Sequence, residues 1–333
     1  MTRLFILLVL ALASSLSFAQ SDQALVDRYD RMYASGKYEQ ALRVAELISE
    51  RYPESATWHF NSGALYAKLD QPDAAISHLQ QCADLGFTGI ASFEQNADLD
   101  SVRDRSDFKA VLELVRSAAK ARMDAFQDEA RRHQPKVYVP PTAATESRPL
   151  LIALHGTGMD GESMYDALLE TAELEGMILV CPDALRPAGE GFSWTYRDES
   201  SWFVNHLIER AISEHNADPE RVILVGFSQG ANIALIMGQT QPERFAGVIP
   251  ICGHYEAQIA ESEQTPAPFY LMTGARDPWK RTYTDARRDF EDAGAAVQVR
   301  LLPSKGHALP MGKAGTREYV RAVRWVLEQG AED

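Results

Sequence analysis

From residue 136 onward, short apolar runs alternate with longer stretches in which apolar residues return every three or four positions. The runs at 137–139, 150–154, 177–180, 222–225, 247–251, 269–273 and 297–302 read as strands. The periodic stretches at 162–175, 201–215, 283–293 and 315–328 read as helices, and another helix opens directly after Ser228. Residues 184–200, rich in Gly and aromatics, read as a loop. This alternation predicts a mostly parallel sheet with helices on both faces, an α/β domain over residues 136–330. Residues 22–133 carry only the helical period, so an all-α region precedes it.

That region contains a repeat. Ala41 and Ala75 lie 34 positions apart, and their surroundings align. Met32, Gly36, Tyr38 and Ala45 match Tyr66, Asp70, Pro72 and Leu79. Trp58 and Gly63 fit the first helix of the second unit, and Pro53 closes the first unit. The period and its small residues resemble the tetratricopeptide repeat, a helix–turn–helix unit, although Tyr29 stands where a glycine is expected. Residues 20–116 are read as this repeat domain, with a further helix pair at 98–103 and 108–114. Residues 117–135 are read as a helical linker. The resemblance implies a docking surface for a protein partner. A helical appendage that packs on the second domain or dimerises is the alternative.

Composition narrows the options. The chain has 333 residues, 45% apolar and 24% charged, with a formal net charge of −14. That charge argues against nucleic acid as a partner, because phosphate binding needs a basic face. Arg3, the apolar run 4–13 and Ser17-Phe18-Ala19 have the order of a secretory signal peptide, residues 1–19. The mature chain is expected in a periplasm or the medium, with no integral membrane segment after cleavage. An uncleaved N-terminal anchor is the other reading of this run. The three cysteines, Cys82, Cys181 and Cys252, are too few and too widely spaced for a disulfide framework.

The chemistry centres on Gly226-Phe227-Ser228-Gln229-Gly230, where a strand turns abruptly into a helix. Such a turn needs small residues on both sides, and it leaves the Ser228 hydroxyl exposed. Serine becomes a nucleophile only with a base in reach, and that base needs a carboxylate to fix its tautomer. In chain order Ser, acid, His, the base is His307. His254 comes too early, directly after the next strand. The acid is Asp277, which follows the apolar run 269–273 through a glycine turn; Asp285 is the alternative. Two backbone N–H groups are needed for the developing oxyanion. Gln229, at a helix start, supplies one. Thr157 of His155-Gly156-Thr157-Gly158 supplies the other, with Gly156 and Gly158 as alternatives.

These motifs resemble the α/β-hydrolases, in particular small bacterial enzymes of the phospholipase/carboxylesterase and acyl-protein thioesterase-like group and the feruloyl-esterase and polyhydroxybutyrate-depolymerase-like group. The resemblance covers residues 136–328. It implies a serine hydrolase of carboxylic esters or thioesters that acts through an acyl-enzyme on a small-molecule, lipid or aryl ester and needs no cofactor. With no His-Glu-x-x-His and no paired Cys, no metal is expected. Ala231 departs from the family pattern, which has a second glycine there. The family strand order separates Cys181 from Cys252 by about 14 Å at ~4.8 Å per strand, so both are expected to be reduced, with Cys252 near the pocket. His155, Trp194 and Trp279 are expected at the substrate, with coverage of the sheet as the alternative for the tryptophans. Two other functions compete: a scaffold that binds through its helices and carries an inert hydrolase fold, and a serine peptidase.

Overall fold

The computed structural model describes residues 20–141, 147–257, 264–303 and 305–329. The expected signal peptide, 1–19, lies outside the described residues. The chain divides into two compact units, Met1–Phe126 and Gln127–Asp333. Among the described residues no helix is long and apolar enough to cross a membrane.

The first unit is helical. It contains α1 (Gln20–Ala34), α2 (Tyr38–Arg51), α3 (Ala56–Lys68), α4 (Pro72–Asp84), α5 (Ile90–Gln95) and most of α6 (Ser106–Arg132). Ala41, Ala45 and Ile48 on one face of α2 bury against Trp58 and Leu65 of α3. α3 and α4 meet at Gly63, where a Cβ would stand 2.8 Å from Leu79 Cγ. Gly36 and Asp70, 34 positions apart, both adopt left-handed backbone, at φ +72° and +57°. The residue after each closes the turn in the same way: Lys37 N–H donates to Met32 O, and Gln71 N–H to Tyr66 O, both at 2.9 Å.

Two details differ from expectation. α6 runs unbroken through the anticipated boundary at 116/117. Its middle, Ser-Ala-Ala-Lys-Ala-Arg-Met, has no glycine or proline to stop it. Residues 98–103 form no full helix, only a 3₁₀ turn at Ala97–Leu99. There the Asp98 carboxylate is buried, accepting from Tyr33 Oη and Lys68 Nζ at 2.5 Å each.

The second unit holds a seven-stranded sheet in the order β1-β3-β2-β6-β7-β8-β9. The strands are β1 (Lys136–Tyr138), β2 (Arg148–Leu154), β3 (Ile178–Cys181), β6 (Ala217–Phe227), β7 (Gly247–Ile251), β8 (Phe269–Gly274) and β9 (Val297–Leu302). Only β1, at the edge, is antiparallel. The helices are α7 (Gly161–Glu175), α8 (Arg197–His215), α9 (Gln229–Thr240), α10 (Lys280–Asp292) and α11 (Gly312–Gln329).

Alternate side chains of the sheet serve opposite faces. Leu151, Leu179, Ile223, Val225, Ile249 and Met272 pack with Met164 and Leu168 of α7 and with Tyr319, Val323 and Val326 of α11. Ile152, Leu224 and Val248 are as fully buried on the opposite face, where α8 and α9 cross the strands. The region expected as a plain loop at 184–200 contains a small hairpin, β4 (Arg186–Ala188) and β5 (Gly191–Ser193). All three cysteines are free and buried.

Candidate active site

The carboxyl ends of the parallel strands gather the polar side chains, as open α/β sheets require. β6 ends at Phe227 and α9 begins at Gln229, so Ser228 alone makes the turn. Its backbone sits at φ +53°, ψ −114°, a conformation that L residues rarely adopt. Two glycines make the turn possible. A Cβ on Gly226 would stand 2.2 Å from Gly230 O, and one on Gly230 would stand 2.4 Å from Leu154 O. The departure at Ala231 is accommodated elsewhere: Gly253 faces it, and a Cβ there would lie 2.8 Å from the Ala231 methyl. Ser228 N–H donates to Ile251 O at 2.9 Å, which ties the turn to β7.

His307 lies in the loop between β9 and α11 and reaches both of its expected neighbours. Its Nε2 is 2.9 Å from Ser228 Oγ, and its Nδ1 is 2.8 Å from Asp277 Oδ2. The Asp277 carboxylate can only accept, so Nδ1 carries the proton and Nε2 offers its lone pair to the serine. Asp277 is buried, and its other oxygen accepts the Trp279 N–H at 2.7 Å. The His307 loop comes this close because β8 ends in a glycine: a Cβ on Gly274 would stand 2.2 Å from Gly306 O.

On the other side of Ser228, the backbone leaves β2 through His155, Gly156, Thr157 and Gly158. Gly156 packs against the nucleophile turn; a Cβ there would be 3.2 Å from Ser228 Cβ. The Gly158 N–H is taken by Phe192 O at 2.9 Å. Among the described residues the N–H groups of Thr157 and Gln229 have no backbone acceptor.

The residues expected to touch substrate divide. His155 is fully buried. Its Nε2 accepts the Ala184 N–H at 2.9 Å, so Nδ1 carries hydrogen and donates to Gly156 O at 2.7 Å. Both ring nitrogens are occupied inside the protein, and burial pushes the imidazole below its ordinary pKa. Trp194 is buried as well, its ring 5.3 Å from that of His155 and its indole N–H donating to His155 O at 2.9 Å. These two side chains support the loop instead of lining an opening. Trp279 is 46% exposed beside Asp277, with its ring set edge-on to His254 at 4.8 Å.

Two features escaped the sequence reading, and a third, Cys252, is the cysteine expected near the pocket. Gln229 contributes its side chain as well as its backbone: Oε1 accepts Trp194 N–H at 2.9 Å and Ser193 Oγ–H at 3.1 Å. His254 stands against Trp279. Cys252 takes φ +55° at the end of β7, with its sulfur 4.0 Å from Gly306 O. The donor atoms of Cys252, Asp277 and His307 lie within 4.8 Å of one another. Two of these groups are already bonded to each other, however, and burial pushes the thiol up to about 11, which opposes the thiolate a metal needs. A glycine flanking the hairpin turn at each end, Gly189 and Gly191, was the one sequence signal for β4 and β5.

A serine at a strained strand–helix turn, an imidazole on its oxygen and a buried carboxylate behind the imidazole define a fold class as well as a site. The chain belongs to the alpha/beta hydrolase fold family, whose model matches residues 149–329. It is 30% identical over 191 residues to NocK of Nocardia uniformis subsp. tsuyamanensis, which carries an esterase assignment; the match covers 54% of this chain and 52% of that one. It is 28% identical over 188 residues to feruloyl esterase B of Talaromyces stipitatus, covering 53% of this chain and 48% of that one. The match therefore spans about half the length of these relatives. In fold, the chain is similar to the crystal structure of esterase PE8, with a TM-score of 0.51 and 21% identity over 59% of this chain and 99% of that one.

Proposed function

We propose that this protein is a serine hydrolase that cleaves carboxylic esters through an acyl-enzyme. The observation that carries the reading is the unbroken line Ser228 Oγ, His307 Nε2, His307 Nδ1, Asp277 Oδ2, with contacts of 2.9 and 2.8 Å. The relatives' esterase assignments support the same class. His307 takes the Ser228 proton as Oγ attacks the carbonyl carbon. Asp277 holds the ring in the required tautomer and stabilises the imidazolium that forms. The Gln229 and Thr157 N–H groups receive the oxyanion, and the positive end of α9 adds to its stabilisation. The leaving alcohol takes the proton from His307; water then repeats the sequence on the acyl-enzyme.

Trp279 and His254 offer an exposed aromatic wall beside Asp277, which suits an aryl or apolar acyl group. Residues 1–19 act in this reading as an export signal. The helical unit, with its identical turns 34 residues apart, acts as a tetratricopeptide-like docking module. Fluorophosphonate labelling of the full chain, followed by a panel of p-nitrophenyl esters of rising acyl length, tests the enzyme reading. Labelling and turnover that both vanish in Ser228→Ala are expected; labelling that persists in that variant refutes it.

A further inference from the structure

The two proposed oxyanion donors sit on separate, short pieces of backbone. Gln229 opens α9, whereas Thr157 lies exposed in an irregular loop that includes Gly158 at φ +73°. A donor stabilises an oxyanion only when it is held about 2.7–3.1 Å from where the charge appears. Something must fix the loop relative to the helix.

The hairpin β4–β5 is placed to do so. Phe192 exchanges two hydrogen bonds with the loop: its O accepts Gly158 N–H and its N–H donates to Met159 O, both at 2.9 Å. Gly191 packs so tightly there that a Cβ would stand 2.5 Å from both Gly158 O and Met159 O. The Trp194 indole adds a third tie, to His155 O at 2.9 Å. On its other side, the end of the hairpin is gripped by the Gln229 amide oxygen through Trp194 N–H and Ser193 Oγ–H. The hairpin is itself anchored to α8 by the Arg186–Glu199 fork, at 3.0 and 2.6 Å, in which Glu199 is buried.

We propose that the Gln229 side chain and the Trp194 indole are positioning groups that lock the two halves of the oxyanion hole together through the β4–β5 hairpin. The proposal rests on the esterase reading. Gln229 then works twice: its N–H faces the oxyanion, and its side chain fixes the loop that carries the opposite donor. Neither side chain acts on the reacting atoms, so their effect falls on the transition state and not on substrate affinity.

The test uses Gln229→Met, which keeps the volume and the backbone donor but removes the acceptor, and Trp194→Phe, which removes the indole N–H. Steady-state kinetics on a short p-nitrophenyl ester are measured beside inhibition by an alkyl boronic acid, a tetrahedral mimic of the transition state, and beside thermal melting. Since one whole oxyanion donor is worth about 10²–10³ in rate, a misaligned one is expected to lower kcat about tenfold, with KM changed less than about twofold. Boronate affinity is expected to fall in parallel. Unchanged kcat in both variants, or a fall in melting temperature with boronate affinity intact, overturns the proposal. Should Gln229→Met fail to fold, Trp194→Phe decides alone by the same criteria. A wild-type chain that neither turns over esters nor labels at Ser228 instead removes the esterase reading itself.

Discussion

Asp277 shows how much one buried carboxylate is asked to do. One oxygen holds its own turn through the Trp279 N–H, and the other holds the His307 ring. In Asp277→Asn the single amide oxygen can serve only one of the Trp279 and His307 N–H groups; with it kept on Trp279, the NH2 donates to Nδ1, so the imidazole is expected to adopt the tautomer that points a hydrogen at Ser228. A kcat lower by about 10³–10⁴ with little change in KM is expected in steady-state assays. His155 gives a second prediction at this scale. Burial holds its pKa below the ordinary value of 6.5, so the unfolded chain takes up its proton first as pH falls. Its contribution to stability is complete above 6.5 and is lost as acid is added below it. Thermal melts of His155→Gln are expected to vary less with pH between about 7 and 5 than those of the wild type. The difference between these residues also marks what the sequence could reveal. Ser228 and His307 announce themselves through local glycine patterns and chain order. Whether His155 and Trp194 face substrate or interior depends on a hairpin packed across them, and no local pattern records that.

The elements that build the site differ in the same way. The turn into α9 was legible because steric need writes itself as Gly226 and Gly230 within five residues. The hairpin was not, because two three-residue strands are too short to show a period, and Pro187 with two glycines, Gly189 and Gly191, reads as loop. The expected boundary between the repeat domain and the linker falls at Ser117, yet nothing in the backbone chemistry of α6 interrupts a helix there. The end of β8 yields a test of how elements share the work. In Gly274→Ala the added methyl meets the Gly306 carbonyl, a backbone atom that cannot swing aside. The loop bearing His307 must move. A fall in kcat of about tenfold or more is expected, while the chain still melts as one population near the wild-type temperature. Kinetics beside calorimetry will separate this from simple destabilisation.

Across the whole molecule, the alternation of strand and helix was enough to give the α/β class, because connection rules leave few arrangements for such a pattern. The sheet order follows with β1 as its one antiparallel edge, and the two strand-end cysteines have two strands, β2 and β6, between them. The helical unit was legible as helices and as a period, since small residues and turn residues recur with it. The docking role proposed for it is written in no such rule. Stability of the second unit is bound to its chemistry through the φ of +53° at Ser228. Alanine ordinarily outperforms glycine in a folded chain by about 0.5–1 kcal/mol. At this one position the order is expected to reverse: Ser228→Gly should resist urea better than Ser228→Ala by about 1 kcal/mol, since only glycine rests comfortably in that shape. Two equally silent variants would then differ in endurance, and the margin between them would measure how far the native chain is kept from its own most restful form.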